Sequence, residues 1–273
     1  MKKEIRNFII GSLYVVADFI FRGLHNKNIG KTRIIVFHHI DSLDIFESLI
    51  SKISLKYNVI SFEDYVRGNI SKSKVNVIIS LDDGYESWYL YGLPIFNKYN
   101  IKPILSVNSD FIGLNVCDAK VYCKNNIKTW QENSLDWDEL RVLYDNGAMI
   151  CGHSWSHIDM ISNALTFECK VGNIQKDKNR LEEKIGTDID CFTYPFGRYN
   201  SESLSIVSNL GFKFAFTSDS NFISPDNFPY QIPRTNIGMR NHFVAFGYIE
   251  GWGEWLTKQA SNIRKLSANR GES

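Results

Sequence analysis

Two short stretches carry the residue types that do chemistry. In "HSWSH", residues 153–157, His153 and His157 stand four apart with only Ser154, Trp155 and Ser156 between them. Side chains at i and i+4 share one helical face, or meet across a tight loop, so both imidazoles can reach a single ion. That spacing alone describes surface or capping histidines equally well. The stretch "ISLDDG", residues 79–84, adds Asp82 and Asp83. Consecutive side chains of an extended chain diverge, so one carboxylate can bind an ion while the other stays free to accept a proton. Two negative charges at a buried strand end are costly unless a cation offsets them. Asp-Asp-Gly is also good turn or helix-capping material, and alone would be read that way. Taken with the histidines it points to two imidazoles and a carboxylate around a divalent ion with open positions, the catalytic arrangement rather than the structural one.

The elements that must position these residues alternate along the chain. "RIIVFHHI" (33–40), "VNVIISLDDG" (75–84), "IKPILSV" (101–107), "AMICGHS" (148–154), "CFTYPFG" (191–197) and "FKFAFTS" (212–218) are short apolar runs with polar ends, which predict buried strands. Between them, "LPIFNKYN", "SLDWDELRVLYDNG", "NIQKDKNRLEEKIG" and "SESLSIVSNLG" predict helices, three of them closed by Gly147, Gly186 and Gly211. Strands alternating with helices imply a parallel α/β sheet, and this many units suggests a barrel or a doubly wound sheet. His38, His39, Asp82, Asp83, His153 and "YPFG" all fall at the carboxyl ends of predicted strands, where such folds build their sites.

Composition bounds the rest. The 273 residues suffice for one large α/β domain or two small ones, and 44% hydrophobic with 22% charged residues is ordinary for a globular chain. A net charge of +1 gives no electrostatic reason to expect nucleic acid. The N-terminus, "MKKEIRNFIIGSLYVVADFIFRGL", is too short and too charged to span a bilayer, and reads as an amphipathic helix that either packs on the domain or lies on a membrane surface. Val15-Val16-Ala17 also fits a signal-peptidase site. Five cysteines, with no pair spaced like a zinc ribbon or a redox motif, lean toward free thiols in a reducing compartment. The expectation is a cytoplasmic or membrane-peripheral protein, with export left open. The expected division is an N-terminal amphipathic helix over 1–30, a catalytic domain over 31–250 and a polar tail over 251–273.

"ISLDDG", "GHSWSH" and "FTYPFG", in that order, resemble the first three motifs of the polysaccharide deacetylase family (NodB homology domain, carbohydrate esterase family 4). The connectors "LPIFNKYNIKPILSVNSDFIG" and "WDELRVLYDNGAMICGHS" follow the same pattern, and the resemblance covers residues 33–240. It implies an α/β fold of the distorted (β/α) barrel type and metal-dependent hydrolysis of an acetamide on a sugar. On the matching positions, Asp83, His153 and His157 are the metal ligands and Asp82 is the catalytic base. The backbone N–H near Phe196 would help stabilise the oxyanion. Two departures stand out. The arginine usual two residues before the proline of the third motif is replaced by Thr193, and no C-terminal Leu-x-His supplies a general acid; the only late histidine is His242. "VFHHI" resembles the first strand of the biofilm-exopolysaccharide N-deacetylase branch, whose domain looks circularly permuted and takes its acid histidine from that strand, which here implies His38. Arg234, in "IPRTNI", is a candidate to supply charge near Asp82 or to bind substrate, and Tyr194 and Trp155 are candidates for stacking on sugar faces.

The expected function is therefore removal of N-acetyl groups from amino sugars of a polysaccharide or glycolipid. One divalent ion is implied, zinc first, with cobalt or nickel equally compatible with a His₂Asp set. An O-acetyl esterase or amidase on a lipid-linked sugar stays open within the enzyme class. Outside it, a catalytically silent carbohydrate-binding barrel is the competitor. The expected partner is an N-acetylated glycan or glycolipid, with peripheral membrane contact through the N-terminal helix. A metallo-nuclease fits poorly, since no basic stretch is there to meet phosphates.

Overall fold

Eight strands, all paired in parallel, run in the order β7-β6-β5-β4-β3-β1-β8, with a short β2 beside the start of β3. They are β1 (Thr32–Phe37), β2 (Asn58–Val59), β3 (Asn76–Asp83), β4 (Ile104–Val107), β5 (Met149–Gly152), β6 (Cys191–Thr193), β7 (Phe214–Phe216) and β8 (Arg234–Asn236). The two ends of this order meet, because Phe216 bridges Ile232, just ahead of β8. The sheet thus curls into the distorted (β/α) barrel implied by the motifs. The computed structural model describes residues 2–20, 26–227, 229–256 and 258.

Helices cover the outside: α1 (Lys2–Ile20), α2 (Leu43–Lys56), α3 (Phe62–Val66), α4 (Leu93–Tyr99), α5 (Val116–Tyr122), α6 (Trp137–Asp145), α7 (Phe167–Ile185), α8 (Ser201–Asn209) and α9 (His242–Ile249). Local chemistry sets several ends. Asp136 and Glu139 form a capping box at the start of α6, and Gly186 ends α7 in the left-handed conformation. The sequence reading missed α2, although Phe46, Leu49, Ile50 and Ile53 form its buried stripe behind an N-cap at Ser42. It also missed β8.

Period-two alternation divides each strand between barrel interior and helical shell. Ile34, Ile78, Ile104, Cys151, Cys191, Phe216 and Ile232 form one apolar cluster, with a residue from each long strand of the barrel. Two positions further along these strands the layer turns polar: Ser80, Ser106 and Thr193 are buried, and the Ser106 and Thr193 hydroxyls are 2.8 Å apart. The interior is therefore a dry floor under a polar upper layer, and the site stands on that layer.

One expectation is corrected here. Cys151 and Cys191 are not free thiols but form a disulfide between β5 and β6, with Cα atoms 4.8 Å apart. Their separation of 40 residues resembles no motif. Only the parallel pairing of Gly152 with Phe192 sets the cysteines opposite each other. Cys117, Cys123 and Cys169 are free.

α1 packs on α9, where Gly11 lies against Val244 and Gly247 against Ile10. Glu254 accepts a 2.7 Å hydrogen bond from Arg33, which ties the residues just past 250 to β1. No described helix is long and apolar enough to cross a membrane.

Candidate active site

A cavity of about 240 Å³ opens at the carboxyl ends of the strands, lined by His38, Asp82, Asp83, His153, His157, Tyr194 and Phe196 among others. Both aspartates reach it despite being adjacent. Asp82 continues the inward set of Ser80, while Asp83 has φ of 94°, a conformation rare for a non-glycine residue, which breaks the alternation at the strand end.

Asp83, His153 and His157 each offer a ligand atom within 4.8 Å of the others, and all three residues are buried. Asp83 Oδ1 lies 3.7 Å from His153 Nε2 and 3.6 Å from His157 Nε2. The far nitrogens are already engaged. His153 Nδ1 is 2.8 Å from the Thr193 carbonyl and His157 Nδ1 is 3.2 Å from that of Asn126. Carbonyls accept, so each Nδ1 carries the proton and each Nε2 presents a lone pair toward Asp83, the tautomer a metal site requires. Burial holds His153 down to about 4, and burial followed by the His153 charge holds His157 down to about 3. Both rings are neutral near pH 7. Burial and then the charge on Asp82 push the Asp83 carboxyl up to about 8. Tyr85 and Asn108 lie near enough to favour its ionised form, yet Oδ2 is buried and takes no hydrogen bond. A buried carboxylate with one oxygen facing two imidazole lone pairs and the other left unbonded fits a divalent cation.

Asp82 is held differently. Arg234 donates from both terminal nitrogens to its two carboxylate oxygens, at 2.7 Å each. The same guanidinium donates to Ser80 Oγ at 2.9 Å and to the Thr217 carbonyl at 3.0 Å. Burial would raise the Asp82 carboxyl, but the Arg234 charge and its hydrogen bonds outweigh this and hold it well below the usual carboxylate range. Asp82 thus has an arginine partner from β8, while the third-motif position usually held by an arginine is Thr193. Thr193 instead gives its carbonyl to His153.

The other candidates separate. His38 follows β1 directly, lines the cavity, and stands with its ring 5.4 Å from that of Trp130. His39 turns away, toward Asp41 and Glu132 at 3.7 and 3.9 Å. His242 sits on α9 beside Lys52, outside the cavity lining. Phe196, in a left-handed conformation, lines the cavity with its ring 4.3 Å from that of His157. Tyr194 lines it too, though its hydroxyl is spent on the Tyr230 carbonyl at 3.2 Å.

Two candidate substrate contacts need correction. Arg234 is fully buried with its donors committed, so it has no face to offer a sugar. Trp155 is not among the cavity-lining residues; the Lys176 ammonium lies 3.6 Å from its ring centroid. The exposed aromatic that does stand beside His38 is Trp130, which sequence reasoning did not pick out. Asp177 was also missed, although a charged residue in register with Ile174, Leu181 and Ile185 on the buried stripe of α7 is a readable signal.

The model of the polysaccharide deacetylase family matches residues 69–215, more than half of the chain. The chain belongs to the polysaccharide deacetylase family. A poly-β-1,6-N-acetyl-D-glucosamine N-deacetylase of Staphylococcus epidermidis is 24% identical over 162 residues, which are 59% of this chain and 54% of that protein. The chain spans about half the length of the curated relatives it matches. Among solved structures, IcaB from Ammonifex degensii aligns with a TM-score of 0.65 at 16% identity, over 80% of this chain and 97% of that one. The Streptococcus pyogenes deacetylase PplD, in complex with acetate, aligns at 0.61 and 20% identity, over 76% and 92%. At these identities the structural likeness speaks for the fold: a parallel sheet curled into a (β/α) barrel.

Proposed function

We propose that this polysaccharide deacetylase family member is a metal-dependent N-deacetylase acting on N-acetylated hexosamine glycans. The observation that carries the reading is the convergence on one cavity of an Arg-paired carboxylate, a His₂Asp cluster and a third histidine. Asp83, His153 and His157 would hold a divalent ion, with zinc favoured and cobalt or nickel compatible. Such an ion supplies Lewis acidity toward the acetamide carbonyl and lowers the pKa of water.

The rest of the chemistry falls to the chain. Asp82, kept ionised and aimed by Arg234, accepts the proton of the attacking water. The Phe196 backbone N–H donates to the oxyanion as charge develops there. His38, entering the step protonated, donates to the amine nitrogen as the C–N bond breaks, releasing acetate and a free amino sugar. Phe196, an exposed aromatic lining the cavity, and Trp130, exposed beside His38, offer faces on which a sugar ring can stack. By analogy with the Staphylococcus epidermidis relative, a β-1,6-linked N-acetylglucosamine oligomer is the first substrate to try. The test is acetate release by zinc-loaded protein. Release from activated acetyl esters alone would favour the esterase, and no release from any acetylated sugar would leave the silent binding barrel.

A membrane-peripheral position belongs to the same proposal. α1 buries Ile10 and Tyr14 against the domain and leaves Ile5, Phe8, Ile9, Val15 and Val16 exposed on its other side, with Phe8 at 74%. Lys2, Lys3 and Arg6 add positive charge at its start, which suits an anionic lipid surface. The Cys151–Cys191 bridge supports an oxidising compartment over the reducing one expected from cysteine spacing. Co-sedimentation with anionic vesicles, lost in Phe8→Ser, tests the first point. Thiol titration of the denatured, unreduced protein tests the second, with three thiols expected if the bridge is made.

A further inference from the structure

α7 carries a buried acid that no step above uses. Asp177 is 1% exposed and faces the loops that follow β4 and β5. Its Oδ1 accepts from the Ser109 backbone N–H at 2.9 Å and from the Ser109 hydroxyl. Its Oδ2 accepts from the backbone N–H of His153 at 3.0 Å, and the Ser154 backbone N–H also bonds to the carboxylate. A carboxylate placed this way is a clamp. It ties the chain after β4 to the first two residues of the "HSWSH" loop.

That loop needs clamping. Ser154 and His157 both have positive φ, 64° and 53°, in a five-residue span that must hold two imidazoles on one point. Such backbone persists only where its surroundings over-determine it. α7 supplies a second tie a turn earlier, where Asn173 donates to Ser156 Oγ at 2.9 Å. The approach of Asp177 also depends on Gly152, since a Cβ there would lie 3.0 Å from Oδ2.

We propose that Asp177 is a positioning residue for the candidate metal site: by binding the His153 and Ser154 amides it presets His153 for coordination. The inference rests on the reading of Asp83, His153 and His157 as metal ligands. Both oxygens are used. A carboxylate has two accepting oxygens, whereas an asparagine amide in its place would have one and would turn N–H groups toward either Ser109 or the histidine loop.

Competition with a chromophoric chelator would measure zinc affinity in the wild-type chain and in Asp177→Asn, at a temperature well below either melting point. The expected result is stoichiometric binding by the wild type and affinity about 10–100-fold weaker in the variant, the usual loss when an outer-shell partner of a metal ligand is removed. The visible spectrum of the cobalt-loaded variant should shift as well, because the backbone that carries His153 is no longer held on the Asp177 side. A residue that merely stabilised the fold would lower the melting temperature but leave the affinity of folded protein and the cobalt spectrum unchanged, and that outcome overturns the proposal. If Asp177→Asn does not fold, Gly152→Ala keeps the carboxylate and displaces it; zinc affinity equal to wild type in that variant also overturns the proposal. Absence of zinc binding by the wild type would instead overturn the metal reading, and this inference with it.

Discussion

Replacing Arg234 with Met should test its role as the partner of Asp82, and the structure sets the size of the effect. The wild-type pair is buried on both sides, with the side chains of Arg234 and Asp82 at 0% and 7% exposure. Met fills much of the volume but leaves the Asp82 charge without its partner, and breaking a buried pair this way typically costs about 3–5 kcal/mol. For a chain of this length that corresponds to a melting temperature lower by on the order of 10 °C. The sign with pH follows from the depressed carboxyl. A group whose folded pKa lies below its unfolded value contributes stability that is full above the unfolded value and is lost as pH falls through the folded one. The deficit of the variant should therefore be largest near neutrality and shrink toward acid. Catalysis should report the same change. In the wild type Asp82 is ionised throughout the working range. In Arg234→Met, burial acts unopposed, so the acid limb of the pH–rate profile should move up toward neutrality and the rate at pH 7 should fall. Urea titrations at several pH values and a kcat/KM profile on an acetylated oligomer measure both. A variant with unchanged stability and an unmoved acid limb, but a raised KM, would refute the reasoning and make Arg234 a substrate ligand after all.

Removing the metal should lower the melting temperature, and restoring zinc at about 100 times its Kd should raise stability by about 2.7 kcal/mol, a shift absent in His153→Ala and His157→Ala. Asp83→Asn should also lose zinc, yet the metal-free variant should be more stable than the metal-free wild type. Its advantage should grow as pH rises toward about 8, because the folded Asp83 retains a proton there that the unfolded chain has already released. His38→Ala should slow amide hydrolysis by about 10²–10⁴ and an activated acetyl ester far less, since a phenolate departs without a proton. Equal losses on both substrates would assign His38 a structural part.

What the sequence disclosed and what it withheld have one physical cause. Asp82, Asp83 and His153 were legible because each sits at the end of a buried apolar run, where a strand end fixes a side chain within a residue or two, and His157 through its spacing from His153. The alternating pattern likewise pointed to a parallel α/β sheet, and the resemblance of the motifs implied the barrel. Everything that depends on one strand lying beside another was hidden. The disulfide needed Gly152 paired with Phe192 before Cys151 and Cys191 could meet. The fate of Arg234 needed β8, a strand of three residues too short to show a period. Once β8 lies beside β1 and β1 beside β3, Ser80, Asp82 and Arg234 belong to the same polar layer of the barrel interior. A closed barrel lets a charge reach that layer from any strand facing inward. The position of the arginine in the chain is therefore a weak constraint, and its place in the layer a strong one. Thr193 in the third motif thus does not leave Asp82 unpaired: Arg234 reaches it from β8 across β1, and Thr193 gives its carbonyl to His153.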